Sequence, residues 1–98
     1  KIMTLHLPPP AQGKPFGYAW DGNNTQHILY RAEDNRVHEL WNKPGAAWLH
    51  NAIGWRAVSP TMVGNPSSYV WESNNTQHIV YRDAVGDIHE FWYRVDLG

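Results

Sequence analysis

The chain is 98 residues long, has no cysteine and carries a formal net charge of −1 with acids and bases interspersed. That length allows one small domain burying about 60–65% of the surface its unfolded chain exposes, and no disulfide can brace it, which leaves a metal or association between chains as the usual support. Balanced charge leaves no footprint for nucleic acid or an anionic membrane, and no apolar run reaches the length of about 20 residues that crosses a bilayer, so neither nucleic acid nor membrane insertion is expected.

In chain order, Lys1 to Leu7 (KIMTLHL) reads as an edge strand with nothing of its own to pair with, and it lacks the apolar core of a signal peptide. A soluble chain is expected, its destination open, secretion included. A Gly/Pro loop then leads to a brief aromatic strand, Tyr18 to Trp20, and Asp21 to Asn24 is a cluster of turn formers. Gln26 to Arg31 and Val37 to Trp41 are β-branched and aromatic runs separated by AEDNR, which predicts a hairpin with a short loop. A fourth strand is expected in Ala46 to Ile53, ahead of the long connection GWRAVSPTMVGNP. No window places apolar residues at helical spacing without Gly or Pro inside it, so no helix is expected.

The same elements then recur. GYAWDGNNTQHILYRAEDNRVHELW, from Gly17 to Trp41, aligns without gaps with SYVWESNNTQHIVYRDAVGDIHEFW, from Ser68 to Trp92, every match displaced by 51. The register extends back to Gly13 and Pro15 against Gly64 and Pro66. Four short antiparallel strands in a repeat of about fifty residues, rich in tryptophan, is the pattern of a β-propeller blade. The strands lack a purely apolar face, as expected of sheets sandwiched between neighbours. The expected fold is therefore all-β, a propeller with two four-stranded blades per chain: repeat 1 about 13–63 and repeat 2 about 64–98.

The second repeat stops soon after its third strand, while Lys1 to Leu7 has no partner. The expectation is that residues 1–12 of one chain complete the last blade of the next. Two blades cannot close a ring, so copies would associate head to tail. A homotrimer with six blades is favoured, and a tetramer with eight is possible. The alternative is that the chain is a piece of a longer propeller.

Two tryptophan-rich blades in so short a chain resemble the small bacterial and fungal fucose-binding lectins, in which short chains assemble into six-bladed propellers. HILYRAEDNRVHELW and HIVYRDAVGDIHEFW are also similar to the blade repeats of a wider group of bacterial lectin-like propellers. The resemblance implies sugars held between blades by an arginine, a glutamate and a tryptophan, here Arg31 and Arg82, Glu39 and Glu90, Trp41 and Trp92.

The residues also support glycan binding on their own chemistry. A sugar offers an apolar C–H face and a rim of hydroxyls, so its site needs an aromatic plate and charged or amide groups. Trp, Glu, Arg and His recurring in each repeat supply both, with His27 and His78 included, and several equal sites on one ring convert weak affinity into avidity. Trp48 and Trp55 occur once each, near the connection, where either could wall a pocket or cover a seam. The competing reading makes His38, Glu39 and Arg31 a buried network joining strands; Trp20 and Trp71 are expected in the core. The Asn23-Asn24-Thr25 and Asn74-Asn75-Thr76 triplets match the N-glycosylation pattern but fit a tight turn better.

His27 and His38 could approach across the hairpin near Glu39, yet His38 and Glu39, adjacent on one strand, point to opposite faces, which counts against a metal site. Each carboxylate recurs by repeat, favouring equal binding sites over one asymmetric active site. The expectation is a non-enzymatic, multivalent glycan-binding module without cofactor; the alternative is a protein-interaction or scaffold propeller that binds no sugar.

Overall fold

The computed structural model describes Ile2, Thr4, residues 9–53 and residues 61–94. Strands β1 (Ala11–Trp20), β2 (Thr25–Ala32), β3 (Val37–Asn42) and β4 (Leu49–Ala52) form one antiparallel sheet, and β5 (Val63–Trp71), β6 (Thr76–Arg82) and β7 (Ile88–Arg94) form another. The chain is thus all-β, with sheets of four and three strands in sequence order.

Turn chemistry explains the short connections. After β1 the chain makes a tight 3-10 turn over Asp21–Asn23, closed by Asn24 in the left-handed region (φ 55°) with its N–H bonded to Asp21 O. Asn75 holds the same conformation in the second repeat (φ 53°). The β2–β3 loop closes through Asn35 N to Ala32 O (2.9 Å) and Ala32 N to Arg36 O (3.2 Å), with Asn35 at φ 59°. A type I turn followed by one left-handed residue gives this hairpin, and Gly86 (φ 91°) takes that place between β6 and β7.

The first strand departs from expectation. Tyr18 to Trp20 is only the end of a strand that begins at Ala11, and the Gly/Pro stretch before it is a bulge. Pairing runs Gln12 with Arg31 and then Phe16 with Leu29, so β1 spends extra residues where β2 has one. Gly13 supplies the positive φ (82°) that the kink requires, and Pro15 is tolerated because a bulge on an edge strand needs no ladder donor there. The bulge recurs between Val63 and Ser67, with Gly64 at φ 77°. At the other end, β4 is shorter than the predicted Ala46 to Ile53. The predicted edge strand at the N-terminus falls mostly outside the described residues.

The sheets stack face to face. Their shared core is Leu29, Val37, Met62, Ile79 and Tyr81, with Tyr18, Ile53 and Phe91 packed against it. Strand alternation aims one face of the first sheet (Tyr18, Trp20, His27, Leu29, Val37, Glu39) at the opposite-handed face of the second (Asn75, Gln77, Ile79, Tyr81, Phe91). A smaller cluster of Tyr30, Ala32 and Leu40, backed by Ile28 and Trp48, lies on the other side of the first sheet.

Candidate binding site

The tripeptide Thr25-Gln26-His27, repeated as Thr76-Gln77-His78, organises the polar centre of the molecule. Period-two alternation puts Thr and His on one face and Gln on the other. In the first sheet Thr25 Oγ1 lies 2.7 Å from His27 Nε2, and His27 Nδ1 lies 2.9 Å from Glu39 Oε2. The second sheet contributes Gln77, whose amide donates to Glu39 Oε2 at 2.6 Å and to the Tyr18 hydroxyl. Glu39 is 4% exposed and Gln77 also 4%, so this relay is closed to solvent. Tyr18 stacks on His27 with ring centres 5.1 Å apart, and burial pushes its hydroxyl up to about 12 from an ordinary 10.0.

Around the relay, further hydrogen bonds cross between the sheets. The Trp20 indole donates to Asn75 Oδ1 at 2.8 Å and meets Tyr93 edge-on. Arg31 Nε donates to Gly64 O at 2.7 Å, while its Nη1 reaches Gln12 and Asn35. Lys14 N donates to Asn65 Oδ1 at 2.8 Å. Both bulges therefore lie at the seam, where their distorted backbone offers groups that a regular ladder would consume.

The second sheet carries the same set, with no covering sheet among the described residues. Thr76 Oγ1 is again 2.7 Å from His78 Nε2, and Tyr69 again stacks on the histidine at 4.7 Å. Here the match ends. Glu90 Oε2 receives a bond from the Tyr69 hydroxyl at 3.3 Å but stands 3.4 Å from His78 Nδ1, which is buried and has no hydrogen-bond partner. Trp20 is 0% exposed and its counterpart Trp71 54%; Val37 is 2% exposed and Ile88 70%. Trp71 is thus corrected from core to surface. Tyr69 and Trp92 are exposed on the same face.

The sequence-predicted site residues consequently divide. His27, Glu39 and Arg31 are brought together at the inter-sheet seam. Trp41 lies in the same row, half-buried and paired with His27 across the ladder. With its amide oriented to satisfy both neighbours, Asn51 accepts from the Trp41 indole at 3.1 Å. His78, Glu90, Trp92 and Arg82 form the open counterpart, Arg82 exposed at its margin. Trp48 is drawn away to the Tyr30 cluster on the opposite face. Trp55 lies outside the described residues.

His27 and His38 do not converge. His38 points to the other face, stacking on Tyr30, with Nε2 2.9 Å from Asp34 Oδ2 and Nδ1 3.0 Å from His50 Nε2. Burial and the neighbouring His38 lower the His50 pKa. In the second sheet His89 is anchored instead by Asp83, at 2.7 Å. Among the described residues no group of three or more His, Cys, Asp or Glu side chains is arranged to hold a metal ion. Both Asn-Asn-Thr triplets form turns whose threonine is buried against the histidine.

Tyr18, Gln77, Asn75 and the bulge glycines belong to the site and were not among the candidate ligand-binding residues read from the sequence. The signal for Gln77 was the alternation in the repeated Thr-Gln-His, which sends the amide away from its own histidine and toward a neighbouring sheet. No helix among the described residues is long and apolar enough to cross a membrane. No protein-family model matches the chain, and no curated protein matches it.

Proposed function

We propose that this chain is a non-enzymatic, multivalent carbohydrate-binding module whose propeller blades close into a ring when copies associate, a homotrimer being favoured over a tetramer. The observation that carries the reading is the pair Trp41 and Trp92. Equivalent by repeat, they stand half-buried and exposed in the third strand of each sheet, each opposite a histidine in the ladder. Such an indole offers the flat apolar plate that a sugar's C–H face requires. Amide and carboxyl groups lie within reach, Asn51 beside Trp41 and Glu90 two residues before Trp92 on the same face. His27, Glu39 and Arg31, engaged between sheets, serve in this reading to hold the seam rather than to touch the sugar.

That same engagement favours a second reading, a scaffold ring without sugar, because polar groups already bonded to protein have little left for hydroxyls. A glycan array separates the two. Binding that is lost in Trp41→Ala and in Trp92→Ala, with circular dichroism and mass unchanged, supports the lectin; an array with no bound glycan leaves the scaffold.

A further inference from the structure

The second sheet leaves open a face whose repeat-equivalent is already packed inside the molecule, and the first sheet leaves Gln26 and Asn24 exposed at one end of its outer face, where Tyr30, Ala32, His38 and Leu40 are buried. Glu39, His27, Tyr18 and Trp20 are completed by Gln77 and Asn75. A displacement of 51 residues turns that list into Glu90, His78, Tyr69 and Trp71, which await Gln26 and Asn24. Gln26 and Asn24 are exposed, and they lie on the first sheet's other face, so the same chain does not use them there.

We infer that the open face of the second sheet docks the exposed Gln26 end of the first sheet's outer face in another copy, whose Gln26 amide bonds to Glu90 beside the unpartnered His78 Nδ1. The inference rests on the association of copies proposed above and adds which surfaces meet and which residue completes the site. Three independent observations point to this occupant. His78 is 8% exposed and its Nδ1 is the one buried side-chain polar atom without a partner among the described residues, at the place where the first sheet receives Gln77. Four exposed aromatic and apolar side chains of the second sheet, Tyr69, Trp71, Ile88 and Trp92, fall on this one face, against Tyr93 alone of its aromatic rings on the other. The internal seam shows that a sheet of this sequence fits there, since Gln26 and Asn24 are chemically identical to the Gln77 and Asn75 that fill the equivalent positions.

Registered on the internal seam, Gln26 of the incoming copy donates to Glu90 and to the Tyr69 hydroxyl. Its Asn24 accepts from the Trp71 indole, and Arg82 reaches the carbonyl of the incoming Gly13, as Arg31 reaches Gly64. The two surfaces are different patches, so the contact is heterologous: repeated with a rotation that closes, it forms a ring. Trp92 keeps a free edge in such a seam, as Trp41 does in the internal one, so sugar capture at the margin and docking on the face are compatible.

The test uses the whole chain and sedimentation mass. Gln26→Glu sets a carboxyl against Glu90 and is expected to reduce the assembly to the single-chain mass, with the circular dichroism spectrum retained because Gln26 is exposed. Glu90→Gln alone is expected to weaken assembly. The double variant Gln26→Glu with Glu90→Gln restores an amide–carboxyl pair across the copies with the roles exchanged, and its mass is expected to return. Wild-type mass for Gln26→Glu, or no recovery in the double variant, overturns the seam. A wild-type chain that stays single yet binds glycans overturns the seam and leaves sugar recognition standing, whereas a full assembly with an empty array does the reverse.

Discussion

Replacing Gln77 by leucine isolates the polar part of the internal seam. Leucine keeps nearly the same volume, so no cavity opens, but the donor to Glu39 Oε2 (2.6 Å) and the donor to the Tyr18 hydroxyl both disappear. Glu39 is 4% exposed, so water does not replace the amide. Glu39 keeps its contact with His27, so what is lost is one bond to a buried carboxylate, about 1.5–3 kcal/mol, to which the half-buried phenol adds about 0.5–1 kcal/mol. The expected loss is about 2–4 kcal/mol, equivalent to about 10–30 °C in Tm for a domain of this size. Urea unfolding followed by tryptophan fluorescence measures it, with the slope m expected to stay constant because the same surface is exposed. Gln77→Glu is expected to be worse than leucine at neutral pH and to recover in acid, where two facing carboxyls share a proton. A loss below about 0.5 kcal/mol, the range of an ordinary surface substitution, would refute the claim that this relay joins the sheets.

Other outcomes follow from the same geometry. A methyl group at Gly13 would run into the Asn65 side chain that accepts from Lys14 N, whereas at Gly64 the nearest atom is Arg82 Nη2 at 4.0 Å. Both have positive φ, so alanine costs about 1–2 kcal/mol in backbone strain at each, and thermal unfolding is expected to show a further loss for Gly13→Ala alone. Tyr18, held at about 12 by burial against an ordinary 10.0, gives stability fully present below its ordinary value and lost as pH rises toward the folded one. Tyr18→Phe is accordingly expected to flatten the fall in stability between those limits, and equal slopes in the two proteins would contradict the burial of the phenol. Asp83 is held below its ordinary 3.8 by the His89 hydrogen bond, against the upward push of burial and with help from the Asp87 and Val85 N–H groups. A depressed carboxyl stabilises above 3.8 and loses that contribution as pH falls through the folded value, so Asp83→Ala is expected to flatten the acid limb of the stability curve.

The strands with period-two aromatic and β-branched runs were legible in the sequence, as were the Asn-rich turn and the hairpin loops, because each is decided by a few neighbouring residues. The bulges were not, since glycine and proline within a strand mean a loop unless the partner strand is known; Gly13 and Pro15 acquire their role only once Gln12 pairs with Arg31. The opposite fates of Trp20 and Trp71 were invisible for a different reason. They sit in nearly identical local sequence, and what separates them is that another sheet lies on one and, among the described residues, none on the other. Glu39 was singled out as a sugar ligand or a network residue, and local sequence carries nothing to decide between them, because the deciding group, Gln77, is 38 residues away.

The central physical claim is that the repeated Tyr, Trp, His and Glu face is made to be covered by another sheet of the same sequence. Light scattering on the unaltered chain across a dilution series measures this directly. The expected result is a discrete multiple of the single-chain mass that dissociates on dilution, with a blue shift of tryptophan emission on assembly as Trp71 leaves water. A folded chain of single mass at every concentration, its emission unchanged, would contradict the account.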